Sequence, residues 1–276
     1  MCDCTLAIYC FIDDLLKSFG HKQDKRAQVT DSEVITIALM AMLYFGGNFE
    51  KARLTLTELG LMKRCLSRSR LNRRIHCLGG LVAIVFHRFG TVLKDLNWES
   101  RYLLDSFPVA VCDNIRINRC RLIKDERFRG YQASKRRYFY GIRVQVVTTA
   151  DGIPVEFVIL PAKFADIEGL AELPLDLPPN THLICDSAYT HFEWETHLLE
   201  TENIHLLVQA KSNTRRAVEP RLEDYKQIFR KRIETAFGEL MKLFPKKIHA
   251  VTLKGFLLKI ELFMFAIQID KALINN

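Results

Sequence analysis

Three acidic side chains lie in contexts that suit the chemistry of phosphate esters. Asp105 follows the apolar run Tyr102–Leu104, and Asp186 follows a second such run, Leu183–Cys185. A short apolar run of this kind predicts a buried strand, so each aspartate is expected at the end of a strand. Glu234 lies in a charged segment with helical periodicity. The sequence therefore predicts two acids on strands and one on a helix.

Acids held in this way are suited to two-metal phosphoryl transfer. Cleavage of a phosphodiester needs an activated water, a stabilised leaving oxygen and neutralised phosphate charge, and two divalent ions ~4 Å apart supply all three. Magnesium prefers carboxylate and water oxygens to His or Cys ligands. We expect Asp105, Asp186 and Glu234 to hold two Mg²⁺ ions, with Mn²⁺ as a substitute. Crowded carboxylates should raise at least one pKa in the absence of metal.

Other interpretations of these acids stay open. Asp113 is a rival for the first acid, although the apolar strand pattern has faded before it. Asp186 could instead cap a following helix, and Glu234 could pair with Arg230 one turn earlier. On the favoured interpretation the Glu234 helix crosses the strand ends with its acid facing both aspartates.

The charge of the chain points to a polyanionic partner. Its 276 residues carry a net charge of +8, and the segment 116–137 holds nine basic and two acidic side chains. Basic groups grip phosphates and interleaved tyrosines can stack on unpaired bases, although an ordinary surface loop would look similar. The predicted DNA contacts in and beside this segment are Arg116, Arg119, Arg129, Lys135, Arg136, Arg137 and Tyr138.

The N-terminal third predicts an all-α DNA-binding domain, residues 1–98. Thr30 and Glu33 fit a capping box ahead of an apolar helix ending at Gly46-Gly47, and Asn48 can cap the next helix. A basic helix over Lys63–Arg74 then suits helix-turn-helix contact with DNA, the alternative being a solvated basic face. Its predicted contacts are Arg68, Arg70, Arg73 and Arg74.

The hydrophobic period changes near Trp98, which predicts a second domain over residues 99–276. Three strands including a hairpin at Asp151-Gly152 precede the order helix, strand, helix, strand, helix. That order predicts an α/β fold with a ribonuclease-H-like mixed sheet flanked by helices. Pro108 should end or bulge the first strand, because proline cannot donate to a ladder. The segment 113–137 shows no clear period.

Composition excludes several other classes of protein. The eight cysteines lack zinc-site spacing, which indicates reduced thiols. We expect a cytoplasmic protein, because the N-terminus lacks the basic region of a secretory signal. The apolar tail Phe256–Ile269 contains Lys259 and Glu261 and is too short to span a bilayer, so no membrane contact is expected.

Several longer motifs make the chain similar to a known family. It resembles DDE transposases of the insertion sequence 982 family in Leu104–Val109, Cys112–Arg116, Phe128–Tyr131, Ala133–Gly141, Glu234–Phe237 and Ile248–Thr252. The resemblance implies excision and insertion of a mobile element, with Asp105, Asp186 and Glu234 as metal ligands. It also carries Arg230 over as a catalytic residue. Ser187 departs from the lysine expected after the second aspartate, and the segment before the Glu234 helix is short.

The resulting hypothesis is a bacterial DNA transposase that cleaves and joins strands at the ends of an insertion sequence. Its partners would be the terminal inverted repeats and target DNA, bound by a homodimer, and the bound protein would associate with the nucleoid. Two alternatives stay open: a ribonuclease-H-like nuclease without strand transfer, and a non-catalytic DNA-binding protein decayed from a transposase.

Overall fold

The computed structural model describes residues 1–132, 136–209, 220–245 and 247–274, with the backbone alone at 220–225 and 227. Its contacts separate the chain into two compact units, Met1–Arg88 with Leu243–Asn276, and Phe89–Lys242. The division expected after residue 98 placed the C-terminal helix with the sheet, whereas by contacts that helix groups with the N-terminal helices.

The first unit is helical in its described part. Its helices, with α5 continuing into the second unit, are α1 (Cys2–Ser18), α2 (Asp31–Phe45), α3 (Phe49–Glu58), α4 (Arg68–Cys77), α5 (Gly79–Leu96) and, numbered in chain order after the helices of the second unit, α9 (Leu253–Ile269). The Thr30 hydroxyl accepts from the Glu33 amide and the Glu33 carboxylate accepts from the Thr30 amide, which confirms the capping box. Gly46 ends α2 at φ +56°, and Asn48 caps α3.

The last helix of the first unit is apolar on nearly every side, which decides where it packs. Twelve of its residues are buried, including Phe263 and Gln268. Phe263 lies against Gly47, where an added Cβ would stand 3.4 Å from the ring, and the Gln268 amide donates to the Phe86 carbonyl at 3.4 Å. A helix without a polar face must be enclosed, and the helices of the first unit enclose α9.

The basic helix is shorter than the sequence pattern indicates. It begins at Arg68 rather than Lys63, with Ser67 as its N-terminal flanking residue. The tight three-residue turn, 46–48, lies between α2 and α3, whose axes differ by 104°. The basic helix was expected to be the second helix of a helix-turn-helix, directly after the tight turn. Instead α4 follows the longer connection 59–67.

The second unit is built on a six-stranded mixed sheet. Its elements are β1 (Arg101–Asp113), β2 (Arg129–Gln132), β3 (Arg137–Thr149), β4 (Pro154–Pro161), α6 (Asp166–Leu170), β5 (Thr181–Cys185), α7 (Phe192–Glu202), β6 (Ile204–Val208) and α8 (Pro220–Leu243). Strand β3 pairs antiparallel with β1 on one edge and with β2 and β4 on the other. Strands β1, β5 and β6 run parallel. This mixed α/β order is compatible with a ribonuclease-H-like sheet.

Both faces of the sheet are buried at its centre, since Leu103 and Ile184 on one face and Leu104 and Leu183 on the other are at most 1% exposed. Tyr102, Leu104, Leu183 and Leu206 alternate with residues of the other face and pack together, with Leu198 of α7 covering them. The hairpin predicted at Asp151-Gly152 is present between β3 and β4. Consecutive buried apolar residues on β1 and β5 fill both faces, as is typical of parallel strands covered on two sides.

Pro108 does not end the first strand, so that prediction is wrong. Strand β1 runs to Asp113, and Pro108 lies opposite Arg143 of β3. Pairing with β5 stops at Leu104, so Pro108 lies where β1 is an edge strand among the described elements. Proline is tolerated on an edge, and the irregularity falls later, at Ala110/Cys112.

The segment 113–137, expected to lack a period, contains a short strand. Two 3₁₀ turns, Asn114–Arg119 and Glu126–Phe128, precede β2, which pairs with the start of β3. Ala133, Ser134 and Lys135 of the resembling motif lie outside the described residues.

A buried ion pair ties α5 to the sheet within the second unit. Lys94 Nζ lies 2.9 Å from Glu156 Oε1, and the two side chains are 6% and 2% exposed. The other Glu156 oxygen accepts from the Leu175 amide at 3.0 Å. None of the described helices is by itself long and apolar enough to cross a membrane, although two sharply bent helix pairs pass that test jointly.

Candidate active site

Asp105 occupies the point where β1 leaves its parallel neighbour. Leu104 is the last residue of β1 paired with β5, opposite Cys185, so Asp105 is the first residue beyond that pairing. Its Oδ1 accepts from the Ser106 amide at 2.7 Å. The apolar run that precedes it is fully buried, which holds the carboxylate at the edge of the sheet.

Asp186 directly follows β5 and is exposed. Its Oδ1 accepts from the Ala188 amide at 2.8 Å and so caps the short 3₁₀ turn Ser187–Tyr189. Capping was the open alternative for this acid. In the structure Asp186 caps the turn and also lies beside Asp105. One carboxylate oxygen can serve the turn while the other faces the cleft.

Burial and charge together perturb the first acid. Desolvation is the largest cause that raises the pKa of Asp105 to about 7, and the charges of Asp186 and Asp166 raise it further. The Ser106 amide and Arg143 act in the opposite direction without cancelling the increase. Crowded carboxylates were expected to raise a pKa, and burial contributes the larger share here.

Helix α8 brings the third acid to the same cleft. A cavity of about 160 Å³ is lined by Asp105, Asp186 and Glu234 together with Gln209 and Arg230, among others. Gln209 follows β6, so the carboxyl ends of β5 and β6 and the end of the β1–β5 pairing meet here. In open α/β sheets ligands bind outside the carboxyl ends of strands.

Glu234 is paired with arginine at this cleft. Arg230 Nε donates to Glu234 Oε1 at 3.1 Å, and its Nη1 donates to Gln209 Oε1 at 3.4 Å. The Glu234 side chain is 65% exposed. The pairing left open for this acid is therefore present, on a helix position that also faces the two aspartates.

The donor atoms around the cleft fit a magnesium site by their chemistry. All three acids offer carboxylate oxygens. The pKa of Asp105 is raised mainly by burial and further by the charges of Asp186 and Asp166. Among the residues with described side chains, no three His, Cys, Asp or Glu groups are close enough together to hold an ion. Glu234 would have to leave Arg230 to complete such a group.

Asp113, the rival first acid, lies at the other end of β1. It faces Phe139 across the β1–β3 pairing, and its carboxylate lies 3.0 Å from Arg137 Nη1. Both side chains are nearly half exposed. Asp113 is not among the residues lining the cleft that holds Asp186.

Lys226 was missed by the sequence analysis. It lines the cleft and is partly buried, and its charge lowers the pKa of Cys185, opposing the larger effect of burial. Lys226, Arg230 and Glu234 are spaced by four residues, so they share one face of α8. That spacing was visible in the sequence. Lys226 supplies the cleft with a cation, which Ser187, standing where a lysine was expected, does not.

The predicted DNA contacts of the second unit are exposed. Arg116 and Arg119 lie on the 3₁₀ turn after β1, Arg129 starts β2, and Arg136 adopts a left-handed backbone at φ +47°. Arg137 pairs with Asp113, and Tyr138 is 51% exposed. Lys135 lies outside the described residues.

In the first unit, Arg74 differs from the other predicted contacts. Arg68, Arg70 and Arg73 are exposed on α4. Arg74 donates to the Val29 carbonyl at 2.7 Å and to the Asp31 carboxylate, and so holds α4 against the start of α2. Its guanidinium is thus occupied within the protein.

Comparison with known proteins identifies a family for this chain. The family model described as the transposase DDE domain matches residues 99–266. No curated protein and no solved structure matches the chain. The matched range contains Asp105, Asp186 and Glu234, and it covers more than half of the sequence. The chain belongs to the DDE transposase domain family.

Proposed function

We propose that this protein is a DNA transposase that cleaves and joins strands at the ends of an insertion sequence. The observation that carries the proposal is the convergence of Asp105, Asp186 and Glu234 on one cleft from three separate elements. Membership of the transposase DDE domain family supports it. The resemblance of its motifs to the insertion sequence 982 family is the reason for proposing an element of that family.

In this proposal the three acids hold two Mg²⁺ ions, or Mn²⁺ in their place. When bound, the ions activate the attacking oxygen and stabilise the leaving oxygen of a phosphodiester. Asp105 supplies a carboxylate fixed by its buried strand, and Asp186 supplies one fixed by the turn it caps. Glu234 joins them by exchanging its bond to Arg230 for the site.

The basic residues of the cleft then act on the substrate phosphate. Arg230, once released from Glu234, offers its guanidinium to a phosphate oxygen, and Lys226 offers an ammonium from the same helix face. The cleft lies outside the carboxyl ends of β5 and β6, where a DNA strand could be laid across the strand ends. The same site would act twice, first with water and then with the freed 3′-hydroxyl.

DNA recognition is divided between the two parts of the chain. Residues 1–98 would recognise the terminal inverted repeats through Arg68, Arg70 and Arg73, and residues 99–276 would carry catalysis and contact flanking and target DNA. Two ends must be joined, so a homodimer is the expected assembly. The protein would act in the bacterial cytoplasm, on the nucleoid.

A strand-transfer assay tests this function. The full chain is incubated with Mg²⁺ and DNA carrying the ends of its own element, and joined products are resolved on a gel. Joining supports a transposase. Cutting without joining would identify a nuclease, and binding without cutting would identify a decayed DNA-binding protein. Asp105→Asn is the control, because it removes one carboxylate and keeps the side-chain shape.

A further inference from the structure

A second opening in the sheet unit lies beside the acid cleft. This groove has a volume of about 580 Å³, within the range of ligand sites. It is lined by Arg129 and Tyr131 of β2, Tyr138 and Arg143 of β3, and Lys163 after β4, and it extends to Asp166 and Ala188. We call it the tyrosine groove.

Two tyrosines form an aromatic surface in this groove. Tyr131 and Tyr138 are register partners across β2 and β3, with ring centroids 5.0 Å apart and planes at 53°. They are 49% and 51% exposed, so neither ring is buried in the core. The Arg129 guanidinium lies 4.6 Å from the Tyr138 centroid and holds that ring in place. Half-exposed rings held in this way can stack on a base.

The charge of the groove favours a phosphate next to that aromatic surface. Arg129, Arg143 and Lys163 face two acids, and both acids are engaged. Glu126 accepts from the Tyr140 hydroxyl, and Asp166 accepts from Ser106 and Arg143. Lys163 is exposed, and Arg143 Nε is buried with no hydrogen-bond partner in the described structure. Arg129 also lies 3.7 Å from Glu126, and Arg143 pairs with Asp166, so the three lining cations exceed the two acids by the exposed Lys163.

The groove and the acid cleft share one turn and one strand. Ser187 lines the acid cleft and Ala188 lines the groove. On β1 the consecutive residues Asp105 and Ser106 point to opposite faces, and Ser106 bonds the groove-lining Asp166. A DNA strand that leaves the acid cleft across Ser187 would therefore reach the groove at Ala188, the next residue of the protein chain.

We propose that the tyrosine groove binds an unpaired nucleotide of the DNA substrate. Its base stacks on Tyr131 and Tyr138, and its phosphate contacts Arg129 and Lys163. A base inside a duplex has both faces covered by its neighbours, so stacking on protein rings requires a base that has left the helix. The inference deepens the proposed function, since it rests on DNA as the substrate, and it assigns single-stranded DNA to a site separate from the acids.

Oligonucleotide binding to the full chain, in EDTA, tests the proposal without requiring catalysis. A fluorescein-labelled 12-mer of thymidylate and a blunt 30-base-pair duplex serve as probes. The double variant Tyr131→Leu/Tyr138→Leu should bind the thymidylate ~10-fold or more weakly, with little change for the duplex. The double Phe variant should keep the affinity, because it keeps the rings. Tyr44→Leu, at a tyrosine 44% exposed on α2, is the matched control.

A second readout uses the native protein alone. An oligonucleotide with a single 2-aminopurine should lose fluorescence on binding, since stacking quenches that base, and the loss should be absent with the double Leu variant. Equal thymidylate affinity of native and double Leu protein, or unquenched 2-aminopurine bound to native protein, would overturn the inference. If the native protein transfers strands but the double Leu variant binds thymidylate equally well, the groove inference alone is refuted. Tyrosine-dependent binding by a protein that transfers no strands refutes the transposase function alone.

Discussion

Replacing Asp105 with asparagine should stabilise the metal-free protein at neutral pH. The folded protein holds the pKa of this carboxyl at about 7 against the usual 3.8, mainly because it is desolvated. A raised folded-state pKa means that folding favours the protonated form. That favourable contribution is fully present below the unfolded-state pKa of 3.8 and is lost as pH rises through about 7.

The size of the effect follows from the shift. About three pKa units at ~1.4 kcal/mol each give an upper bound of ~4 kcal/mol. Asp105 is only partly buried, and cleft water screens its charge, so we expect ~2–4 kcal/mol by pH 8. Asparagine keeps the oxygen that accepts from the Ser106 amide and carries no charge. The variant should therefore match the native protein near pH 4 and exceed its stability as pH rises.

Denaturant unfolding in EDTA at pH 4.5, 6, 7 and 8 measures this difference. Asp113→Asn is the matched control, because that acid lies on the same strand, is 44% exposed and pairs with Arg137. It should show no such gain with pH. A constant difference in unfolding free energy between native and Asp105→Asn protein across the series would refute the reasoning. Added Mg²⁺ should stabilise the native protein and leave the variant nearly unchanged.

Three further changes probe other parts of the protein. Lys226→Met should lower strand cleavage in Mg²⁺ ~10- to 100-fold while Lys231→Met, exposed on α8, does not; equal rates would remove Lys226 from the site. Lys94→Met should cost ~3–5 kcal/mol in denaturant unfolding because it leaves Glu156 buried and unpaired, and a loss under ~1 kcal/mol would contradict a buried pair. Removing charge from α4 should weaken binding to terminal-repeat DNA and reduce the salt slope by about one for each phosphate that the protein no longer neutralises, whereas an unchanged slope would place recognition elsewhere. The α4 substitutions are Arg68→Ala, Arg70→Ala and Arg73→Ala.

The sequence predicted correctly those structural features that depend only on residues close together in the chain. The capping box at Thr30 and the hairpin at Asp151-Gly152 depend on a few neighbouring residues, and both are present. The strand that ends just before Asp186 was also predicted correctly from its apolar run. Asp105 was expected to end its strand and does not: β1 continues to Asp113, and only its pairing with β5 ends at Leu104. Glu234 was placed on its helix by periodicity alone.

Features that depend on a partner distant in sequence were beyond such reasoning. Pro108 indicates a strand end only if both edges of β1 are paired, and the extent of β5 decides that. Helix α9 is apolar on all sides, which predicts burial without saying among which helices. The spacing of Arg230 and Glu234 permits their contact, whereas their position in the cleft depends on where α8 lies beside the strand ends. Lys226 gains meaning only when α8 lies beside the strand ends.

The assignment of α9 to the first unit has a consequence for synthesis on the ribosome. The apolar surface of α2 is complete early, whereas the helix that covers it emerges more than 200 residues later, after the whole of Phe89–Lys242. At 5–20 residues per second that interval is roughly 10–45 s. During this time the contiguous sheet unit can fold while the N-terminal helices expose a surface prone to aggregation. Abundance in the cell should therefore depend on chaperones that shield the nascent N-terminus, and a copy with a frameshift before α9 should be degraded although its acid cleft is intact.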